Sequence, residues 1–395
     1  MDVAKPQATD SRRLHLDGRA ADTARGHMDG FDPLRVLAAL AVVFSHAILL
    51  STGGEEAEPF QWLTGEILGV YGVFVFFMLS GYLVTDSALR ARGLGDYFLK
   101  RIRRIFPAFI AANVVGAVVI APFFAGSGTG AFLSSPGTWE ALLGVLTFRD
   151  GILAFPDIAF YAAAHPGQEA MAGIVNGVLW TIPLELMCYL VVAALLAMRL
   201  LRPWAVFLLA IAAGVYCFRW DWQPVPILSG FAFVAPLFVA GMAARIFLHN
   251  RPVPGWAALW GAAGVVLAAT QLPGWNTYEQ LIFPALMLWP LLWLGQRRWG
   301  GFLVQNPFGR GRIDPSYGIY IWGWPVQQLL LALVGPDVPP LVFTPLCLIA
   351  AYAAGVLSWI AIERPFLGRR RLAALREADA GQEPAAAKPG QPVGA

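Results

Sequence analysis

Long runs of apolar residues alternate with short polar segments along most of the chain. About ten of these runs have the roughly 17 to 25 residues that an α-helix needs to cross the hydrocarbon core of a bilayer. They lie near residues 34–51, 66–87, 105–125, 173–198, 203–219, 226–248, 255–272, 280–296, 315–334 and 341–362. The pattern therefore predicts an all-α polytopic membrane protein with about ten transmembrane helices.

The composition supports this class. Of 395 residues, 57% are hydrophobic and 13% are charged, whereas about one quarter of the residues of a soluble globular domain are charged. The net charge is only +3, and no basic segment interleaved with aromatic residues is present. An ordinary soluble domain is excluded, and no nucleic-acid partner is predicted.

The positions of the basic residues predict the orientation of the chain. Lysine and arginine concentrate on the cytoplasmic side of membrane proteins. With the N-terminus inside, only Arg149 and Arg219 fall on the outer side, while the first outer loop carries Glu55, Glu56 and Glu58. Both termini are therefore predicted to be cytoplasmic.

Three segments follow from the polar pattern. Residues 1–29 lack the apolar core of a signal peptide and are predicted to be a polar cytoplasmic tail. Residues 30–368 form the membrane domain, in which an outer loop at 126–172 contains a possible short interfacial helix, "SSPGTWEALLGVLTF". Residues 369–395 begin with basic residues and then lack apolar content, which predicts a disordered cytoplasmic tail.

The first predicted helix, "GFDPLRVLAALAVVFSHAILL", carries Arg35 and His46. Eleven residues correspond to about three helical turns, or roughly 16 Å, so both side chains lie on nearly the same face. An ionisable residue inside a membrane costs roughly 2.5 to 3.5 kcal/mol and usually serves a function. An imidazole suits proton transfer near neutral pH. The alternatives are a topology anchor for Arg35 and a hydrogen-bonded packing role for His46.

A carboxylate is predicted inside another helix, "VNGVLWTIPLELMCYLVV". Glu185 lies two residues after Pro183, which is expected to kink this helix. A carboxylate at that depth needs a partner. Glu185 either bonds to an imidazole and fixes its tautomer, or forms a salt bridge with a structural arginine.

Small and basic residues give two further patterns. In "GVYGVFVFFMLSGYLVTDS", Ser80 and Gly81 favour close helix packing, and a nucleophilic role for Ser80 would require an adjacent base. The predicted inner loop "YFLKRIRRIFP" carries Arg101 and Arg104. Its basic residues either anchor the topology on anionic lipid head groups or bind phosphate.

Taken together and in this order, these stretches resemble the acyltransferase-3 family of bacterial integral membrane acyltransferases. The resemblance extends over roughly residues 28–368. The first helix matches a basic residue, ten intervening residues and a histidine, and later stretches match Phe-Phe-x-x-Ser-Gly, Arg-x-x-Arg, Trp-Ser-Leu-x-x-Glu, Ser-Tyr-x-x-Tyr and Glu-Arg-Pro. The matched residues are Arg35 and His46, Phe76, Phe77, Ser80 and Gly81, Arg101 and Arg104, Trp180 and Glu185, Ser316, Tyr317 and Tyr320, and "IERPF".

One departure from the family concerns the catalytic residue. Many relatives have a histidine at the position of Gly323. A second catalytic histidine is therefore not expected, and the chemistry is assigned to His46.

The resemblance implies a multi-pass enzyme of the bacterial cytoplasmic (inner) membrane. Its donor is acetyl-CoA or another acyl-CoA, its acceptor is a hydroxyl of a sugar or lipid-linked glycan in a surface polysaccharide, and membrane lipids surround it. No metal and no permanently bound cofactor are expected. The implied catalytic residues are His46 and Glu185, and the implied substrate-binding residues are Arg35, Arg101, Arg104, Ser80, Trp180 and Tyr317.

Two alternative functions stay open at this point. The acceptor is a small-molecule glycoside in some members of the family. In a proton-coupled transporter or flippase, by contrast, His46 and Glu185 would relay protons and no CoA would be released.

Overall fold

The computed structural model describes residues 30–161, 169–217, 226–249, 251–272, 275–309 and 311–367. Most of these residues are helical. The helices are α1 (Phe31–Thr52), α2 (Pro59–Thr64), α3 (Leu68–Leu89), α4 (Leu94–Val115), α5 (Thr129–Ser134), α6 (Pro136–Leu146), α7 (Glu169–Ala172), α8 (Thr181–Ala197), α9 (Pro203–Cys217), α10 (Pro226–Phe247), α11 (Gly255–Gln271), α12 (Trp275–Gly295), α13 (Ser316–Val334), α14 (Pro340–Ser358) and α15 (Arg364–Phe366). Two short strands, β1 (Leu153–Ala154) and β2 (Ile174–Asn176), pair antiparallel.

The lengths of the helices confirm the all-α membrane class. Among the described residues, five helical segments are long and apolar enough to cross a membrane, namely Phe31–Thr52, Leu68–Leu89, Leu94–Phe124, Ile227–Phe247 and Pro340–Phe366. The number of about ten spans and the side of each terminus stay predictions. The predicted tails, 1–29 and 369–395, lie outside the described residues.

The start of α8 corrects one prediction. The apolar run at 173–198 was predicted to be helical throughout, but its first residues form β2 and an extended connection, and α8 begins only at Thr181. Pro183 therefore lies in the first helical turn, where its missing N–H costs no intrahelical bond. The predicted kink is wrong, and Glu185 lies near the helix N-terminus instead of in mid-helix.

The start of α4 corrects a second prediction. "YFLKRIRRIFP" is not an inner loop, because α4 begins at Leu94 and includes Arg101 and Arg104. Beyond Val115 the chain continues in a π-helical turn, Gly116–Ile120, and a 3-10 turn, Ala121–Phe124. In the long segment that follows, the predicted short helix is confirmed as α6.

Contacts among the described residues divide the chain into two units. The first unit contains the described residues up to Ala38, together with Pro59–Arg90 and Leu184–Gly301. The second unit contains Ala39–Glu58, Ala91–Pro183 and the described residues from Phe302. Helix α1 therefore passes from the first unit to the second after Ala38, and α8 passes from the second to the first after Pro183.

In the first unit, α3 and α10 pack so closely that their backbones are in direct contact. A Cβ atom on Gly81 would lie 1.9 Å from the Phe238 carbonyl oxygen, and one on Gly241 would lie 2.0 Å from the Met78 carbonyl oxygen. Any side chain at either position would force the two helices apart. The close-packing role predicted for Gly81 is confirmed.

In the second unit, α13 and α14 approach each other in the same way. A Cβ atom on Gly318 would lie 2.8 Å from the Gly355 carbonyl oxygen, and one on Gly355 would lie 2.9 Å from the Pro315 carbonyl oxygen. Just beyond α14, the chain forms a π-helical turn, Trp359–Glu363. The side chain of Trp359 is fully buried and belongs to a small apolar cluster at this end of the unit.

Candidate active site

His46 lies in the part of α1 that belongs to the second unit. Its half-buried ring meets the indole of Trp324 edge-on, with the ring centroids 4.9 Å apart and the planes at 76°. No described residue of this unit forms a hydrogen bond with an imidazole nitrogen of His46. Within the unit, the imidazole is therefore positioned by ring packing and not by the hydrogen bond that a polar packing residue would make.

Trp324 is itself fixed by the segment that precedes α8. Its indole N–H donates a hydrogen bond to the Ile174 carbonyl oxygen at 3.0 Å. Gly177 lies against the ring so closely that a Cβ atom there would be 3.1 Å from three indole carbons. The Gln328 amide, one turn further along α13, donates to the carbonyl oxygens of Met171 and Ile174 at 2.8 and 2.9 Å. Hydrogen bonds on and next to the indole thus connect α13 to the segment that precedes α8.

The turn of α1 that precedes His46 is also fixed to α13. The fully buried Gln327 side chain donates from its amide nitrogen to the Val43 carbonyl oxygen at 2.7 Å. A Cβ atom on Gly323 would lie 3.0 Å from a methyl group of Val43, so any larger side chain at position 323 would press on this turn. Glycine at position 323 therefore fits a close approach of the two helices.

Neither Trp324 nor Gln327 was predicted from the sequence to be a residue of the site. One signal was present, because "SYGIYIWGWPVQQ" places Tyr320, Trp324 and Gln327 at helical spacing on one face. That spacing indicated a shared face of the helix. It did not indicate that the face contacts the His46 helix.

Trp180 lies on a short segment that is anchored on both sides. Before it, the Asn176 amide donates to the Ile321 carbonyl oxygen at 3.1 Å. After it, the hydroxyl groups of Thr181 and Tyr320 lie 2.7 Å apart. The Trp180 side chain between these anchors is 41% exposed, so the anchored segment leaves part of the indole uncovered.

Arg104 occupies a buried position between two carboxylates. Its guanidinium forms ion pairs with Asp314 at 2.9 Å and Glu363 at 2.8 Å, and the residue is only 8% exposed. The rings of Tyr317 and Trp359 lie 5.8 and 5.5 Å from its Cζ atom. The structure thus brings together two predicted site residues, Arg104 and Tyr317, around a structural ion pair that sequence analysis did not foresee.

Hydroxyl groups complete this cluster. Ser316 Oγ donates to Asp314 at 2.7 Å, and Ser358 Oγ donates to Glu363 at 3.1 Å. Each carboxylate therefore accepts a hydrogen bond from a hydroxyl group and also forms an ion pair with the guanidinium, as buried charges require. Arg101, one turn before Arg104 on the same helix, is half-buried and lies three residues from this cluster in sequence.

The other predicted site residues belong to the first unit. Glu185 is half-buried near the N-terminus of α8 and accepts a hydrogen bond from the Tyr189 hydroxyl one turn later. Ser80 is half-buried on α3, next to Gly81, and Arg35 is half-buried on α1. The convergence of Arg35, Ser80 and Glu185 on His46 stays a prediction.

A charged cluster joins α3 to α10 in the first unit. Arg245 donates to Asp86 at 2.8 Å, and Arg90 pairs with the same carboxylate. Beyond the end of α10, His249 Nδ1 lies 3.3 Å from the Tyr82 hydroxyl. Burial and then the positive charge of Arg245 lower the pKa of His249. Both effects favour the neutral form of this imidazole.

The long apolar helices and the histidine that lies among them define a multi-pass helical membrane protein. A family model described as an acyltransferase domain, acyltransferase 3, matches residues 28–360. The chain belongs to this acyltransferase family, as its motifs predicted. It is a multi-pass membrane acyltransferase.

Three curated proteins illustrate the similarity. An O-acetyl transferase of Shigella phage Sf6 is 26% identical over 351 residues, which cover 86% of this chain and 96% of that protein. Nodulation protein 10 of Rhizobium leguminosarum bv. viciae is 27% identical over 391 residues, which cover 89% and 97%. A peptidoglycan O-acetyltransferase of Listeria monocytogenes is 31% identical over 112 residues, which cover 27% and 16%. No solved structure matches the chain significantly. These relatives support an O-acetyltransferase activity.

Proposed function

We propose that the protein transfers an acetyl group from cytoplasmic acetyl-CoA to a sugar hydroxyl of a surface or exported glycan, in the bacterial inner membrane. The phage relative, which aligns over almost its whole length, is named an O-acetyl transferase, and the Listeria relative acts on peptidoglycan by its name. The observation that supports the chemistry is the His46 imidazole. It lies on an apolar helix, is fixed against Trp324 and forms no hydrogen bond with a described residue of its unit.

His46 acts as a general base in this proposal. The imidazole takes the proton of the acceptor hydroxyl while the hydroxyl oxygen attacks the thioester carbonyl carbon. The carbon–sulfur bond breaks, and the CoA thiolate leaves and recovers the proton from the imidazolium. An acyl-imidazole intermediate is the alternative route, in which the ring nitrogen attacks the thioester first and the hydroxyl then displaces it. Both routes release one CoA for each ester formed.

Glu185 orients the imidazole in this proposal. A carboxylate that accepts the second ring N–H fixes the tautomer and stabilises the imidazolium as it forms. One feature supports an oriented carboxylate at position 185: the Tyr189 hydroxyl, one turn later on α8, donates a hydrogen bond to it.

We assign the phosphates of CoA to Arg35 and Arg101. Guanidinium groups bind phosphate through charge-assisted, often bidentate hydrogen bonds. Arg104 already pairs with Asp314 and Glu363, so we give it the role of fixing α4, on which Arg101 lies. Trp180 presents an apolar face on which a sugar ring can stack, and Ser80 and Tyr317 stay predicted substrate contacts.

The test uses the purified full-length protein with acetyl-CoA and glycan fragments, and it measures CoA release with a thiol reagent and ester formation by mass spectrometry. His46→Ala is expected to abolish transfer while it still binds acetyl-CoA. The matched control is His249→Ala, which removes an imidazole outside the proposed machinery and is expected to retain transfer. Near-normal acetyl transfer by His46→Ala would contradict this mechanism.

Two further results identify the substrate or reject the enzyme class. Loss of O-acetyl signals from the NMR spectra of surface glycans, after deletion of the gene, would identify the acceptor. Absence of CoA release from the wild-type protein with every acceptor would instead favour a proton-coupled transporter.

A further inference from the structure

We propose that Trp324 is a positioning residue that sets the orientation of the His46 imidazole. The inference rests on the proposed function, because an orientation matters only if His46 reacts. Two observations support this proposal. The two rings meet edge-on with their centroids 4.9 Å apart, and further contacts fix the indole itself.

The His46 ring needs such a restraint. Within the second unit, no described residue bonds to either ring nitrogen, so rotation about the Cβ–Cγ bond is limited there only by packing. An edge-to-face arrangement of aromatic rings has a preferred angle, because the positive ring edge faces the negative ring face. The indole therefore restricts which nitrogen of the imidazole meets the acceptor hydroxyl.

The indole can serve as a fixed reference because it is held on two sides. The Ile174 carbonyl oxygen accepts its N–H at 3.0 Å. Gly177 lies flat against its ring, with a distance of 3.1 Å from a hypothetical Cβ atom to three indole carbons. A larger residue at position 177 would displace the ring. The segment that contains β2 is thus coupled to the imidazole through one side chain.

Gln327 restrains the backbone where Trp324 restrains the ring. Its hydrogen bond to the Val43 carbonyl oxygen, 2.7 Å long, fixes the turn of α1 that lies three residues before His46. Gln327 and Trp324 both lie on α13, and they contact α1 at Val43 and at His46 respectively. Together they fix the position and the rotation of the imidazole.

The first experiment compares Trp324→Ala and Trp324→Phe in acetyl transfer. Loss of the indole is expected to lower kcat about 100-fold, the effect of a misplacement of about 1 Å, with the KM for acetyl-CoA within about twofold of wild type. Trp324→Phe keeps a ring edge but loses the bond to Ile174, so it is expected to recover part of kcat. The matched control is Trp139→Ala. Trp139, in the same unit, also donates its indole N–H to a carbonyl oxygen, that of Leu133 at 2.9 Å.

The second experiment does not depend on activity. Diethyl pyrocarbonate modifies histidine rings, and peptide mass spectrometry reports the rate at His46. Trp324→Ala is expected to raise this rate severalfold, and Trp139→Ala is expected to leave it unchanged. A rate at His46 that is unchanged in Trp324→Ala overturns the proposal, whatever happens to kcat. If the wild-type protein transfers no acetyl group, the proposed function fails, and the modification rate still decides whether Trp324 positions the ring.

Discussion

The Arg104 guanidinium and the Glu363 carboxylate form a buried ion pair, with Nη1 and Oε2 2.8 Å apart, between positions separated by 259 residues in sequence. The pair joins α4 to the π-helical turn that follows α14. Asp314 pairs with the same guanidinium at 2.9 Å. One arginine therefore stabilises two carboxylates that have almost no access to solvent.

Arg104→Ala is expected to destabilise the folded protein by about 3 to 5 kcal/mol, because it leaves two buried carboxylates without their cation. The measurement is the thermal midpoint of the purified protein in detergent. Lys100→Ala is the control, since Lys100 pairs with Asp96 on the same helix at an exposed site. This substitution should lower the free energy of unfolding by only about 0 to 1 kcal/mol. If both variants were equally stable and Arg104→Ala only bound acetyl-CoA less tightly, phosphate binding would be the main role of Arg104.

Gly241→Ala is expected to destabilise the first unit by about 1 to 3 kcal/mol or more, the usual cost of overpacking. Its Cβ atom would meet the Met78 carbonyl oxygen at 2.0 Å, and a backbone atom of a packed helix moves only if the whole helix moves. Gly95→Ala, in α4, is the matched control, because nothing lies within 4 Å of its Cβ position. That substitution should raise the free energy of unfolding by up to about 1 kcal/mol, because alanine has a higher helix propensity than glycine. Equal thermal midpoints for the two variants would contradict the close packing of α3 and α10.

Arg101→Ala is expected to weaken acetyl-CoA binding severalfold and to reduce the dependence of the affinity on salt, because exposed and half-exposed charges are screened by ions. Binding is measured by calorimetry at several ionic strengths. Arg103→Ala removes the same charge from an exposed position two residues away and serves as the control. Equal affinities in both variants would leave these arginines as topology signals only.

The sequence alone placed most of the helices. The apolar run at 315–334 corresponds to α13 (Ser316–Val334), and the run at 34–51 lies within α1 (Phe31–Thr52). Apolar length is a local property of the chain, and a bilayer imposes that length directly. The order of short motifs along these helices also indicated the acyltransferase family, which the comparison confirmed.

The errors arose where apolar length does not define an element. Residues 173–180 are apolar enough to continue a helix, but a short apolar run fits a buried extended segment equally well, and β2 forms there by pairing with β1. At α4, the arginines looked like a loop because they are polar. Arginine is nevertheless a good helix former, so the helix extends back through them to Leu94.

His46 and the family of the protein followed from the sequence by itself, whereas only the tertiary structure decided what surrounds His46 and Arg104. Helical periodicity shows which residues share a face, as Tyr320, Trp324 and Gln327 do. It does not show which other helix that face contacts. The bond from Gln327 to Val43 spans 284 positions of the chain, and packing of side chains between helices selects such contacts. The partners of the imidazole and of the buried guanidinium were therefore decided in three dimensions.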